Sequence, residues 1–287
     1  MKTVFPLIFI FTVLTTLPSH AQEAVDIKTQ NVAGSVYMLE GAGGNIGVLI
    51  GKDGTLIVDN QFHYQEANIR AAIEKLGGDT PKLIINTHYH GDHTGANADF
   101  GSAGTIIAHE NVRIRLLNEE DMPREGYPVI TFEDRIRIHF NDEEIDIIHL
   151  PNGHTDGDSI VWFKNSNVVH MGDHLFYERF PYIDIPGGGS VDGLVNNLEA
   201  VIKMVAADTK IIPGHGVLTN VLGISESADM IRATSEAVRA DLDAGKGPGE
   251  ITIDDRWGSY NWQFINSDRW VQILEADHNR QDSAPRR

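Results

Sequence analysis

The run Leu83-Ile84-Ile85-Asn86-Thr87-His88-Tyr89-His90-Gly91-Asp92-His93-Thr94-Gly95 decides the reading of this chain. It begins apolar and rich in β-branched residues, as a buried strand does. Gly91 and Gly95 then let the backbone turn and approach its neighbours closely. Between strand and turn lie four potential metal ligands, His88, His90, Asp92 and His93. The stretch reads as strand end, tight loop and helix start, which is where an α/β protein sets its chemistry. His88 and His90 are two apart, so near a strand end both imidazoles point the same way. Asp92 and His93 lie past the turn and face a second point. One loop can thus serve two metal ions. Imidazole and carboxylate without thiolate suit zinc, and also iron or manganese.

Three later stretches repeat the pattern of a strand running into a glycine-flanked loop. They are Pro151-Asn152-Gly153-His154-Thr155-Asp156-Gly157-Asp158, Val168-Val169-His170-Met171-Gly172-Asp173-His174 and Ile211-Ile212-Pro213-Gly214-His215-Gly216. In these motifs and in their order the sequence resembles the metallo-β-lactamase superfamily, over nearly all of the chain after residue 21. The resemblance implies an α/β fold, a four-layer αββα sandwich with a one- or two-metal site at the edge of its two sheets. It implies that His88, His90 and His154 hold one metal, that Asp92, His93 and His215 hold the other, and that Asp173 bridges them. It gives Asp92 a catalytic part as well, orienting the nucleophile. Asp59, at the end of Leu56-Ile57-Val58-Asp59, is expected to support the metal loop through hydrogen bonds.

The same resemblance implies a zinc-dependent hydrolase with two Zn2+ per chain, in which a metal-bound hydroxide attacks an acyl carbon. The substrate is expected to be an ester, a lactone or a β-lactam amide, with β-lactamase activity among the expectations. Within the family, β-lactamases proper place Cys or Ser at the position of Asp173, whereas hydrolases of thioesters, lactones and phosphoesters place Asp there. Branches that reduce oxygen at two irons carry Glu where this chain has His90. Two alternatives remain open: a mononuclear iron sulfur dioxygenase, and a non-catalytic exported metal-binding or maturation factor.

Composition narrows the partners. The 287 residues carry a formal charge of −18 and no cysteine, and 41% of them are hydrophobic. An acidic surface disfavours nucleic acid and anionic membranes as partners, and the resemblance implies a small-molecule substrate. No disulfide, thiolate ligand or Cys nucleophile is available. Residues 1–21 read as a secretory signal peptide, with Lys2, an apolar run over 4–17 and Ser19-His20-Ala21 at the cleavage point. The run is too short to span a membrane. The mature chain is therefore expected in the periplasm or outside the cell, with no stable membrane insertion. The oligomeric state stays open. No linker composition divides residues 22–280, which are taken as one domain, with 281–287 as a disordered tail.

Short strands are expected over 25–29, 35–40, 45–50 and 55–59, separated by Gly34, the 41–44 glycine cluster and Lys52-Asp53-Gly54. Helices are expected over 65–76, 191–208, 225–244 and 266–278, and a hairpin over 135–150. His109 is expected to face solvent at a helix start. His149 and His170 lie within strands and are expected in the core or at an interface. His174 is expected to point away from the metals. The aromatic segment after Asp173 supplies the expected substrate groove: Phe176, Tyr177, Phe180 and Tyr182. Arg179 is weighed there as a partner for a substrate carboxylate, against a surface ion pair. Trp257, Tyr260 and Trp262 are expected to pack in the core.

Overall fold

The computed structural model describes residues 25–119 and 122–283. The expected signal peptide lies outside the described residues. Period-two burial builds two sheets. In the first, β1 (Lys28–Ala33), β2 (Val36–Glu40), β3 (Ile46–Gly51), β4 (Gly54–Val58), β5 (Pro81–Ile85), β6 (Thr105–His109) and β7 (Ile130–Phe132) lie side by side in chain order. The pairing is antiparallel from β1 to β4 and parallel from β4 to β7. In the second, β8 (Arg135–Phe140), β9 (Glu143–His149), β10 (Ser159–Phe163), β11 (Val168–His170), β12 (Lys210–Ile212) and β13 (Thr219–Asn220) lie in reverse order across the sheet. Only β11 and β12 pair in parallel there.

Alternation sends each strand's side chains to two cores. Val36, Met38, Leu56, Val58 and Ile85 meet Ile145, Ile147, Val161, Phe163 and Ile212 between the sheets. Their neighbours Leu39, Ile57 and Ile84 turn to the outer face, against α1 (Glu66–Lys75) and α3 (Asn97–Gly101). The outer face of the second sheet is covered by α5 (Val191–Met204), α6 (Val221–Asp243) and α7 (Ser267–Ser283). Two short helices, α2 (Gly91–Thr94) and α4 (Glu110–Leu116), follow β5 and β6. The four layers are αββα, as expected. No helix among the described residues is long and apolar enough to cross a membrane.

Some boundaries differ from the periodicity, for local reasons. The first strand starts three residues later than expected, and pairs with β2 from Lys28. Helix α6 begins at Val221 because the Asn220 side chain accepts from Leu222 N at 2.8 Å, a better start than the polar run further on. Helix α5 stops at Met204, since the chain must turn to enter β12 beside β11. Helix α7 runs on to Ser283, so residues 281–283 are helical rather than part of a disordered tail. Gln281 Nε2 donates to Asp277 Oδ2 at 2.9 Å and to Asp192 Oδ2 at 3.3 Å, which fastens that last turn to the start of α5.

Candidate metal centre

The ends of β5, β11 and β12, and the loop from β9 to β10, open onto one edge of the sandwich. These are the four stretches singled out from sequence. Their side chains meet in two groups: His88, His90, His154 and Asp173, and Asp92, His93 and His215. Within each group the donor atoms lie within 4.8 Å of one another, close enough for each to hold a metal ion.

In the first group His90 Nδ1 stands 3.1 Å from His88 Nε2 and 2.8 Å from His154 Nε2. In the second, His215 Nε2 lies 3.1 Å from Asp92 Oδ2. The Asp173 carboxylate reaches both. Its Oδ1 is 3.1 Å from His93 Nε2 and 3.5 Å from His215 Nε2, and its Oδ2 is 3.7 Å from His88 Nε2 and 3.5 Å from His154 Nε2. These spacings bracket the ~3.3 Å between corners of a tetrahedron with 2.0–2.1 Å metal–ligand bonds.

The donor set fits metal ions on two further grounds. Three imidazole nitrogens crowd one point in the first group, and repel unless a proton or cation stands between them. His93 Nε2 and Asp173 Oδ1 are buried and make no hydrogen bond, which is costly in a dry interior unless something else completes them.

Electrostatics divides the groups. Burial holds His88 well below the ordinary imidazole value, reinforced by His93, and brings His154 down to about 3. Burial also opposes charge on His93 and His215. There the carboxylates of Asp173 and Asp92 outweigh it, and both imidazoles are raised. Asp92 is correspondingly drawn down to about 2, by His93 and His215 against its own burial. A cation in the second group would take the place of these protons, whereas the imidazoles of the first are already held neutral, as metal ligands must be.

Supporting contacts aim the ligands. Asp59, buried at the end of β4, accepts from Thr87 N at 2.8 Å, and its carboxylate lies 2.8 Å from His93 Nδ1. His154 Nδ1 donates to Tyr182 O at 2.7 Å. The 41–44 glycines do more than separate strands. A Cβ on Gly44 would lie 2.1 Å from His93 Cε1, and one on Gly214 would lie 2.1 Å from Asp173 Oδ1. Only glycine allows the backbone to close on the ligands there.

A groove of about 710 Å3 opens over the two groups. Of the four aromatics expected to line it, Phe176 and Tyr182 do so. Phe176 stacks on the His215 ring at 5.0 Å. Tyr177 does not line it: the chain turns at Tyr177 and Glu178, where Glu178 has a φ of +56°, and the Tyr177 ring lies against Gly223 of α6. Phe180 does not either: it is fully buried and stacks on Trp270 of α7 at 6.1 Å, as core. The missing walls come from elsewhere, notably Phe62, Trp262 and Phe264. Trp262 was legible as an aromatic in a polar segment, with nothing to bring it beside His215, where its ring now lies 5.4 Å away. Arg179 also lines the groove, with its guanidinium 5.0 Å over the Trp262 ring.

Of the other histidines, His109 departs from expectation, while His170 and His174 lie as expected. His109 is buried rather than facing solvent, because it closes β6 against the second sheet. It stacks on His149 at 3.7 Å and accepts from Asn111 N to cap α4. His170 is core, 2.9 Å from Asn45 O. His174 turns away from the ligands, into a buried site where Asn197 Nδ2 is 3.2 Å from its Nε2.

The metallo-beta-lactamase superfamily profile matches residues 39–215, which include all seven of these side chains. The chain belongs to the metallo-beta-lactamase superfamily. It is 35% identical to a hydroxyacylglutathione hydrolase of Mesorhizobium japonicum over 137 residues, 46% of this chain and 48% of that one. It is 30% identical to a hydroxyacylglutathione hydrolase of Rhodospirillum rubrum over 187 residues, 64% of this chain and 67% of that one. The chain thus spans about half to two thirds of the length of these relatives. Among solved structures, the DIM-1 metallo-beta-lactamase superposes with a TM-score of 0.62 at 17% identity, over 74% of this chain and 99% of that one. At that identity the likeness is one of fold.

Proposed function

We propose that this protein is a metallohydrolase that binds two zinc ions and cleaves an acyl bond in a small molecule. The observation that carries the reading is Asp173, whose two oxygens face the two ligand groups separately. His88, His90 and His154 would hold one ion, and Asp92, His93 and His215 the other. Bound there, the ions supply a water acidified towards neutral pH and a Lewis acid for the acyl oxygen.

The chain's own residues do the rest. Asp173 holds the two groups in register and offsets their charge. The Asp92 carboxylate, partly open to the groove, orients the attacking water by hydrogen bonding. Phe176, Tyr182 and Trp262 exclude bulk water and take the apolar body of the substrate. Among the described residues the Arg179 side chain has no carboxylate partner within ion-pair distance, so it is available to an anionic end of the substrate. Seven donors in two groups favour two ions over the single iron of a sulfur dioxygenase. Export by residues 1–21 would put the enzyme in the periplasm or outside the cell, and favours a lactone or β-lactam over a glutathione thioester. The relatives' names favour the thioester.

The test is a hydrolysis panel on the zinc-loaded chain from residue 22: a lactone, a chromogenic β-lactam, a carboxylate ester and a glutathione thioester. Turnover of at least one class, abolished by chelation and restored by zinc, is expected. No hydrolysis of any class, with oxygen uptake on a persulfide by the iron-loaded protein, would overturn the reading.

A further inference from the structure

His90 differs from the other histidines of its group. It presents Nδ1 to His88 and His154, and turns Nε2 outwards. Nε2 lies 3.0 Å from Asp184 Oδ2. Asp184 is nearly buried, and all its other contacts serve to hold it still. Its Oδ2 also accepts from the Tyr89 hydroxyl, and its Oδ1 accepts from Gly187 N at 2.9 Å. Its backbone N donates to His154 O at 2.9 Å. Two residues earlier, Tyr182 O takes the Nδ1 proton of His154. One short segment, 182–184, therefore orients two of the three imidazoles in the first group.

The segment is anchored from behind. Arg115 lies 5.0 Å over the Tyr89 ring, donates to Gly187 O at 2.8 Å, and grips Asp156 through two bonds of 2.7 Å. The second group has a comparable support in Asp59 on His93. Each group thus has one histidine backed by a carboxylate.

We infer that Asp184 is the positioning residue of the first ligand group, fixing His90 as an Nδ1 ligand. A carboxylate on Nε2–H leaves the Nδ1 lone pair free, holds the ring plane and raises ligand basicity. Removing it releases His90 to rotate and to protonate at either nitrogen. The loss falls on the group of His88, His90 and His154. The group of Asp92, His93 and His215, held by Asp59, keeps its affinity.

The inference rests on the two-ion reading, and the experiment separates the two. Metal-free protein is titrated with Co2+ while the visible absorption of the bound ion is followed. The wild type should take two equivalents. In Asp184→Asn, which is nearly isosteric, one equivalent should bind as in wild type and the other about 10–100-fold more weakly. Tyr89→Phe, which keeps the carboxylate on His90, should stay within a few-fold of wild type in both. The mirror variant Asp59→Asn should weaken the other equivalent, with a different spectral component lost. Melting of the metal-free variants checks that each is folded. Two equivalents at wild-type affinity in Asp184→Asn would overturn the inference. So would equal weakening of both equivalents in a folded variant. Fewer than two equivalents in wild type would instead overturn the two-ion reading.

Discussion

Asp59 and His93 meet in the dry interior, with Oδ2 of one 2.8 Å from Nδ1 of the other and both side chains fully buried. The same carboxylate holds Thr87, the residue that starts the metal loop. A backbone φ of +63° at Asp59, uncommon outside glycine, turns the carboxylate to make these contacts. Asp59 therefore couples the end of β4 to both the position of the loop and the tautomer of one ligand. Asp59→Asn should lower zinc affinity about 10–100-fold, read by competition with a chromogenic chelator. Unchanged affinity would remove the supporting role.

Arg179 and Trp262 offer a cation and an aromatic face in the groove. A charge-assisted bond to a substrate anion is worth about 1.5–3 kcal/mol, or roughly 10–100-fold in binding. Arg179→Ala should raise KM by that factor for substrates carrying a carboxylate, with kcat little changed. Neutral substrates should be unaffected. Steady-state kinetics on a matched acid and amide pair decides it, and equal effects on both would rule out the anionic contact.

Phe176 and Phe180 are four residues apart and do different work. Phe180→Ala empties a buried site on Trp270 and should cost about 3–5 kcal/mol of stability, with KM near wild type in the folded protein. Phe176→Ala should change KM as well, because its ring covers His215. Chemical denaturation beside kinetics reads both. A stable Phe180→Ala with altered KM would return that residue to the groove.

The stacked pair of His109 and His149 joins the two sheets. Burial depresses both imidazoles, and for His109 the neighbouring His149 adds to it. A histidine depressed on folding keeps its contribution above its unfolded pKa of about 6.5, and loses it as pH falls through the folded value. Stability should therefore drop below about pH 6.5. In zinc-loaded protein, the fall in Tm from pH 7 to pH 5 should be shallower in His149→Gln than in wild type. Parallel slopes would exclude the pair as a source of acid sensitivity.

Most of the fold was legible, because period-two strands and glycine-bounded loops are local patterns. The seven side chains of the candidate metal centre were legible for a different reason. Each follows a strand end, and the resemblance supplied their grouping. What stayed hidden depends on which distant elements meet. Tyr177 and Phe180 look like groove aromatics in sequence, and only their neighbours on α6 and α7 show that they face away. Trp262 reaches His215 from a segment after α6. Asp184 carries no motif of its own, and its pairing with His90 spans 94 residues. His109 looked exposed at a helix start, and is covered by a histidine from the other sheet.

Asp173 tests the account most directly. Elemental analysis of the chain from residue 22, purified after growth with zinc, should find about two ions per chain in wild type. Asp173→Ala, which among the described residues removes the only carboxylate facing both ligand groups, should hold at most one and lose turnover. Two ions retained in Asp173→Ala, or a single iron in wild type, would contradict the two-ion centre.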